Sequence, residues 1–326
     1  HRDLHSFPTR RSSDLMAQLG TRCHLANCGT RSDSRVSHRA DSSFFEKKRE
    51  WSKQKDHHIE YYLPPYLQKV KELGRPILLV DAFAGPGTYD DNQPGSPIIF
   101  CKAAQFARER GINVEVKCIE PDPDLFKKLQ RNIAPYGFAE PIAGSCEENI
   151  DRIEKWAKSY TVFVYFDPFR PTQLRWETLQ RVCSLANSMR SVEVLVNFHA
   201  PIFGRWARQY LTRPLPPLDP QVEDIDGIED SLASVSDSLG PSDTLGGDWW
   251  RGFFDNEKPF PSQVFEFTEG FKQKLQRHIA EVCYADVKVA AHHSVPKYFM
   301  VFGTRNHHGL NLMNDSMLKA REIIHY

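Results

Sequence analysis

The chain has no excess of either charge: lysine plus arginine and aspartate plus glutamate both number 42. The total therefore demands no polyanionic partner, although nucleic acid stays open because patches rather than totals bind phosphates. There is no CxxC pair and no His/Cys cluster at zinc spacing, so no structural metal is expected. The seven cysteines (Cys23, Cys28, Cys101, Cys118, Cys146, Cys183, Cys283) are odd in number and scattered. Cys101 and Cys118 lie in apolar runs, where a thiol acts as a small hydrophobe. Cys23 and Cys28 make half a metal site without a second half. A reducing, cytoplasmic setting is the expectation. No apolar run approaches a membrane span and the first residues lack signal-peptide order, so no membrane partner is expected.

What is present is the composition of a soluble globular protein, 40% hydrophobic and 26% charged over 326 residues. The string HSFPTRRSSDL, His5 to Leu15, resembles a translated sequencing adapter, and Met16 follows it directly. Residues 1–43 are accordingly expected to be artefactual or disordered. From Phe44 charge alternates with aromatics, predicting helices broken at Pro64 and Pro65. Ile77 to Val80 is a short apolar run suited to a doubly buried parallel strand. Ser96-Pro97 signals a helix start that Gly111 can close, and Asp122-Pro123 repeats the signal. Val114–Glu120 reads as a second strand, Glu140–Ala143 as a weak third, and TVFVYF, ending at Asp167, as a fourth. Val192–Phe198 reads as a fifth, with helices between.

The expected fold is α/β: a doubly wound Rossmann-like sheet of the class I methyltransferase kind, with a C-terminal antiparallel hairpin and an inserted helical or loop segment. The hairpin is expected from ADVKVAA and KYFMVFGT, preceded by an amphipathic helix over Val264–Val282 and followed by one over Leu310–Ile324. Residues 44–211 form the α/β core with N-terminal helices. Residues 212–262 are read as a flexible insertion, with eight acids and no lysine or arginine between Asp219 and Asp243. Residues 263–326 complete the same core.

The first strand ends in DAFAGPG, spanning Asp81, Phe83, Ala84, Gly85, Pro86 and Gly87. Glycines there allow a ligand close to the backbone. The NAD fingerprint fails, since Asp90 stands at the third glycine position, and the Walker ending is absent. A carboxylate at Asp81 has electrostatic sense beside S-adenosyl-L-methionine (AdoMet), which carries a sulfonium and an ammonium. Glu120, ending the second strand, can take both ribose hydroxyls. Ser145 and Cys146, after the third strand, lie where an adenine ring would sit. Asp167, Pro168 and Phe169 could present a target amine: the carboxylate and a proline-constrained carbonyl accept its protons, and the ring stacks on a base.

These motifs, with DHHIEYYLPPYL, the GSP sequel and KYFMVFGTRNHHGLNLMNDSM, resemble the three-Cys-motif partner family (TcmP) over about Lys55 to Met317. The resemblance implies a methyltransferase-like fold, AdoMet as cofactor and a partner protein containing three cysteines. A more distant likeness is to AdoMet-dependent adenine-N6 methyltransferases of ribosomal RNA, which carry DPPY or NPPF where this chain has DPF. A further departure is YDDNQPG, Tyr89 to Gly95, which intervenes before the helix and could set it back from the cofactor or cover substrate.

Two functions follow. One is an AdoMet-dependent methyltransferase acting on an exocyclic amine of an RNA or DNA base; the other is a non-catalytic AdoMet- or nucleotide-binding partner module. Lys47, Lys48, Arg49, Lys53 and Lys55 beside Trp51 read as an exposed amphipathic helix or a phosphate track. His57 and His58 read as a lid or as packing. The pairs His292–His293 and His307–His308 do not form a ready chelate. Trp249 and Trp250 read as anchors for the end of the insertion.

Overall fold

A computed structural model describes residues 45–188, 191–214, 240–288 and 292–322. The expectations for residues 1–43, for Cys23 and Cys28, and for most of the acidic stretch lie outside the described residues.

Seven strands form one sheet: β1 Ile77–Asp81, β2 Val114–Glu120, β3 Ala139–Ala143, β4 Thr161–Phe166, β5 Val192–Phe198, β6 Glu281–Val287 and β7 Tyr298–Thr304. Their order is β3-β2-β1-β4-β5-β7-β6. β1 to β5 run parallel, and β7 is antiparallel to both β5 and β6. This is the expected Rossmann-like class I methyltransferase sheet with antiparallel C-terminal strands. The order reverses between β1 and β4, and ligands of such sheets bind at the strand ends there. Asp81 and Asp167 stand at that edge.

Among the described residues ten α-helices flank the sheet: α1 Glu50–Val70, α2 Ser96–Arg108, α3 Pro123–Ile133, α4 Ile150–Ser159, α5 Trp176–Ser188, α6 Ala200–Tyr210, α7 Pro241–Leu245, α8 Arg251–Phe254, α9 Phe260–Leu275 and α10 His307–Glu322. Alternation along β1 divides the core. Leu78 and Val80 pack with α4, α5, α6 and α9, whereas Ile77 and Leu79 pack with α1, α2, α3 and α10. β4 and β5 are buried along their whole length, as continuous apolar runs require.

Several boundaries differ from expectation, among them the start of the last helix, at His307 rather than Leu310. Pro64 and Pro65 do not break the N-terminal helix; α1 runs through them. The acceptors that lose donors belong to Glu60 and Tyr61, which are exposed, while Ile59, Tyr62, Leu63, Tyr66 and Leu67 are buried. Packing outweighs the proline penalty. The helix predicted over Val264–Val282 is shifted to Phe260–Leu275, because the His278 N–H turns back to the Leu275 carbonyl at 2.8 Å and Glu281 and Val282 enter β6. The sixth strand therefore starts four residues before Ala285.

Asp122 caps α3 as expected, accepting from the N–H groups of Asp124 (2.9 Å) and Leu125 (3.0 Å). Ser96 is the first residue of α2, and Gly95 is its cap. Within the span read as a flexible insertion, residues 240–262 are folded: Trp250 and Phe254 are fully buried and Leu245 nearly so. Trp250 thus serves as the anchor expected of it.

Candidate functional site

The β1 loop turns sharply at Gly85 (φ +61°) and Gly87 (φ +82°), a region that disfavours side-chain-bearing residues. It is tied down on both sides. The Ala84 N–H donates to the Ile119 carbonyl (2.9 Å), and the Asn132 amide donates to the Pro86 carbonyl (2.8 Å). The inserted YDDNQPG folds back on itself, pairing Thr88 with Pro94. Gly95 N–H then reaches the Gly87 carbonyl at 2.8 Å. Helix α2 therefore starts beside the glycine turn rather than set back from it. Asp90 pairs with Lys128, and Asp91 accepts from the N–H groups of Lys48 and Gln93. Both acids serve the loop and the segment above it.

Asp81 is fully buried at the β1 tip. Its Oδ1 accepts weakly from the Phe83 N–H (3.3 Å), and its Oδ2 has no hydrogen-bond partner among the described residues. Burial pushes this carboxyl up to about 7, against a smaller downward pull from the Ser96 hydroxyl. Glu120, at the β2 tip, accepts from Gly85 N–H (2.8 Å) and Asp122 N–H (2.7 Å), one through each oxygen. Burial pushes it up to about 7 as well. Phe83 and Ala84 direct their side chains into the two cores, leaving backbone for a ligand. Ser145 N–H is committed to Glu148 (2.7 Å). Cys146 is a core residue whose thiol burial pushes up to about 12, so it too has only backbone to offer.

Asp167 stands between two partners that sequence reasoning did not assign to it. Lys55 forms an ion pair with its Oδ2, and the Asn197 amide donates to its Oδ1 at 2.7 Å. Burial raises the carboxyl, but the Lys55 charge and both hydrogen bonds outweigh it and hold Asp167 below the usual carboxylate range. Lys48, also buried, pairs with Asp56 and donates to the Pro94 carbonyl at 2.7 Å. The basic segment is thus neither an exposed helix nor a phosphate track along its whole length. Lys48 and Lys55 close over the ligand edge of the sheet because acids there need cations. His58 is buried, its ring pushed down to about 3 by burial, and packs against the core rather than covering a cofactor.

Phe45 completes the closure. A Cβ on Gly85 would meet the Phe45 ring at 3.1 Å and the Phe169 ring at 3.5 Å. The two rings meet edge-on with centroids 5.3 Å apart, and Tyr89 lies 5.8 Å from Phe45. The crevice beside Gly85 is walled by these aromatics. Lys55 and Asn197 left a faint signal: one at helical spacing from Ile59, the other a polar residue in the otherwise apolar tip of β5. Phe45 left none.

The acidic strand tips fit a cationic nucleoside on one count, the unpartnered Asp81 oxygen beside a turn lacking side chains. On the other count, Phe45 has to leave Gly85 before such a ligand can lie there. Among the described residues, no His/Cys/Asp/Glu group could hold a metal, and no helix is long and apolar enough to cross a membrane.

No protein-family model and no curated protein matches the chain. Among solved structures it is similar to the citrinin polyketide synthase CMeT domain, with 11% identity over 72% of this chain and 47% of that one, TM-score 0.39. It is similar to the Methanococcus jannaschii fibrillarin pre-rRNA processing protein, with 12% identity over 71% and 66%, TM-score 0.34. It is also similar to PKMT2 from Rickettsia typhi in complex with AdoHcy, with 13% identity over 76% and 54%, TM-score 0.36. The chain spans about half the length of the first and last of these.

Proposed function

We propose that the chain is an AdoMet-dependent methyltransferase acting on an exocyclic amine of a nucleic-acid base. The observation that supports this best is the buried Asp81 carboxylate, whose Oδ2 has no hydrogen-bond partner among the described residues, at the reversal point of the sheet. A buried carboxylate so sparsely hydrogen-bonded is costly to ionise, and a ligand carrying ammonium and sulfonium groups answers that cost. Asp81 and the backbone of residues 83–87 would hold the amino-acid end, Glu120 the ribose, and the Ser145 hydroxyl and the Cys146 backbone N–H the adenine.

AdoMet supplies an electrophilic methyl group on a positively charged sulfur. Asp167 would accept a hydrogen bond from one N–H of the target amine and the Pro168 carbonyl from the other, directing the nitrogen lone pair at the methyl; the surplus proton of the methylated nitrogen would pass to water. Phe169 would stack on the base. Each Asp167 oxygen already has one partner, Lys55 on Oδ2 and Asn197 on Oδ1, and each keeps a second lone pair that an amine could use. Positioning rather than acid–base chemistry then carries the rate. A base within a duplex would have to be flipped out to reach this edge.

The second reading, a non-catalytic module serving a three-cysteine-motif protein, is favoured by that same engagement of Asp167 and by Phe45 over Gly85. Calorimetry with AdoMet, AdoHcy and NAD tests the cofactor: AdoMet and AdoHcy should bind and NAD should not. Incubation with labelled AdoMet and bulk RNA or DNA separates the readings. Label transfer abolished by Asp167→Ala supports the enzyme; transfer that survives it removes Asp167 from the mechanism.

A further inference from the structure

The inserted loop, residues 89–95, has no part in the chemistry above, yet it folds as a tight hairpin. Besides the bridge between Thr88 and Pro94, the Tyr89 N–H donates to the Gln93 carbonyl at 2.9 Å and the Asn92 N–H to the Tyr89 carbonyl at 3.0 Å. Asn92 takes the left-handed conformation (φ +62°) that closes so short a turn and that asparagine tolerates better than most residues. Four residues of the hairpin meet one neighbour, the stretch from Phe45 to Lys48 ahead of α1.

The Asp90 N–H donates to the Phe45 carbonyl at 2.8 Å. The Lys48 N–H donates to Asp91 Oδ2 at 3.1 Å, and the Lys48 ammonium donates to the Pro94 carbonyl at 2.7 Å. That ammonium also lies 5.8 Å from the centre of the Tyr89 ring. Together these contacts hold the Phe45 ring against Gly85, the one face of the turn with no side chain of its own. The attachment is mostly polar. Glu46, Lys47 and Arg49 are exposed, so lifting the stretch would uncover a single apolar side chain, Phe45, and water could replace each hydrogen bond. Segments held in this way open at far less cost than a core element.

We infer that residues 45–49 form a strap and the inserted loop its latch, a regulatory closure that holds the crevice at Gly85 shut against a ligand until the strap lifts. The closed strap and a ligand beside Gly85 compete for the same space. Apparent affinity is then the intrinsic affinity multiplied by the fraction of molecules whose strap is lifted. Weakening the latch raises that fraction and so raises affinity, the reverse of what the loss of a binding residue does. The length of the loop, which adds nothing to the glycine turn, is accounted for by its hold on the strap. The inference rests on the methyltransferase reading for the identity of the excluded ligand but not for the closure itself.

Residue-resolved hydrogen exchange of the full chain, with AdoHcy calorimetry on the same samples, tests it. The Asp90 amide reads closure without any ligand, because the Phe45 carbonyl is its acceptor. The Tyr89 amide, bonded within the loop, reports whether the latch itself is intact. Phe45→Ala and Asp91→Ala should each lower Asp90 protection about 5-fold or more, keep Tyr89 protection as in the parent, and raise AdoHcy affinity about 5-fold or more. Lys128→Met, which removes only the exposed partner of the Asp90 side chain, should match the parent in both measurements. Asp90 protection unchanged in both variants, or the same gain in affinity from Lys128→Met, overturns the inference. Weaker AdoHcy binding by Phe45→Ala overturns it as well, by making Phe45 part of the surface that binds the ligand. So does lost Asp90 protection with AdoHcy affinity unchanged. If no protein binds AdoHcy while Asp90 protection falls as expected, the cofactor reading fails and the closure stands.

Discussion

Replacing Asp81 by asparagine should make the protein more stable at alkaline pH while destroying the proposed cofactor site. The carboxyl has an ordinary value of 3.8 and is pushed to about 7 by burial. A tenfold change in proton affinity corresponds to about 1.4 kcal/mol, so holding Asp81 ionised in the fold costs about 4 kcal/mol. The folded value is the higher one, so the stability associated with the protonated form is complete below about pH 4. It is then lost progressively as the pH rises to about 7. Asparagine escapes that loss. The difference between Asp81→Asn and the parent should be small at pH 4 and should grow to about 4 kcal/mol, as an upper bound, at pH 8. For a chain of this size that is roughly 8 °C in Tm. Glu120, also raised to about 7, titrates in both proteins, and its contribution to the difference cancels to first order. Scanning calorimetry of both proteins from pH 4 to pH 8 makes the comparison, with AdoMet titrated into each at pH 7.5. A stability difference independent of pH, or an Asp81→Asn protein less stable than the parent at pH 8, would refute the claim that Asp81 is a buried charge awaiting a cation.

Lys55→Met should destabilise the protein by about 3–5 kcal/mol at neutral pH in urea titrations, since it leaves the Asp167 charge without its cation. Asp167 is held low in the parent, so its pair contributes above the ordinary carboxylate range and that contribution is lost on acidification; the gap should narrow below about pH 4. Gly85→Ala should cost about 1 kcal/mol or more from its positive φ, and more if the Phe45 ring, 3.1 Å from the new methyl, cannot shift; thermal melts read this, and AdoMet affinity should fall in calorimetry. Asp122→Ala should cost about 1 kcal/mol through the lost α3 cap, with cofactor binding little affected. Trp250→Ala should cost about 3–5 kcal/mol from its fully buried site, a loss measurable in urea and absent if residues 240–262 were a loose appendage.

The sheet was largely legible because its signals are local. Val114–Glu120 and Val192–Phe198 are apolar, β-branched runs whose ends coincide with the observed strands. Asp122-Pro123 marks its helix start with a cap whose chemistry is contained in three residues. The glycine turn and the acidic tips at Asp81, Glu120 and Asp167 fall on one edge because the strands are parallel, which the alternation of elements already implied. What escaped is non-local. Lys55 and Asp167 are 112 positions apart, and no periodicity announces their pairing. Phe45 over Gly85 and Asn197 beside Asp167 are likewise products of tertiary packing. Pro64 and Pro65 misled because helix propensity is a weak guide where a helix is bound to a core. YDDNQPG misled because its turn closes through Thr88 and Pro94, which adds length to the chain without moving α2 from the glycine turn.

The anchoring of α1 limits how the site can open. From Ile59 to Leu67 its inward face is embedded against the sheet, α2 and α10, and Tyr62 hydrogen-bonds Glu193 from β5. The helix cannot swing as a rod without exposing that face to water. Any opening over Asp167 is therefore confined to the Lys55 side chain and the stretch from Glu50 to Asp56, about two turns and roughly 10 Å of helix. That stretch is itself tied to β7, where the Tyr298 hydroxyl donates to the Trp51 carbonyl at 2.6 Å, so loosening this single contact should speed ligand capture without altering the body of the protein.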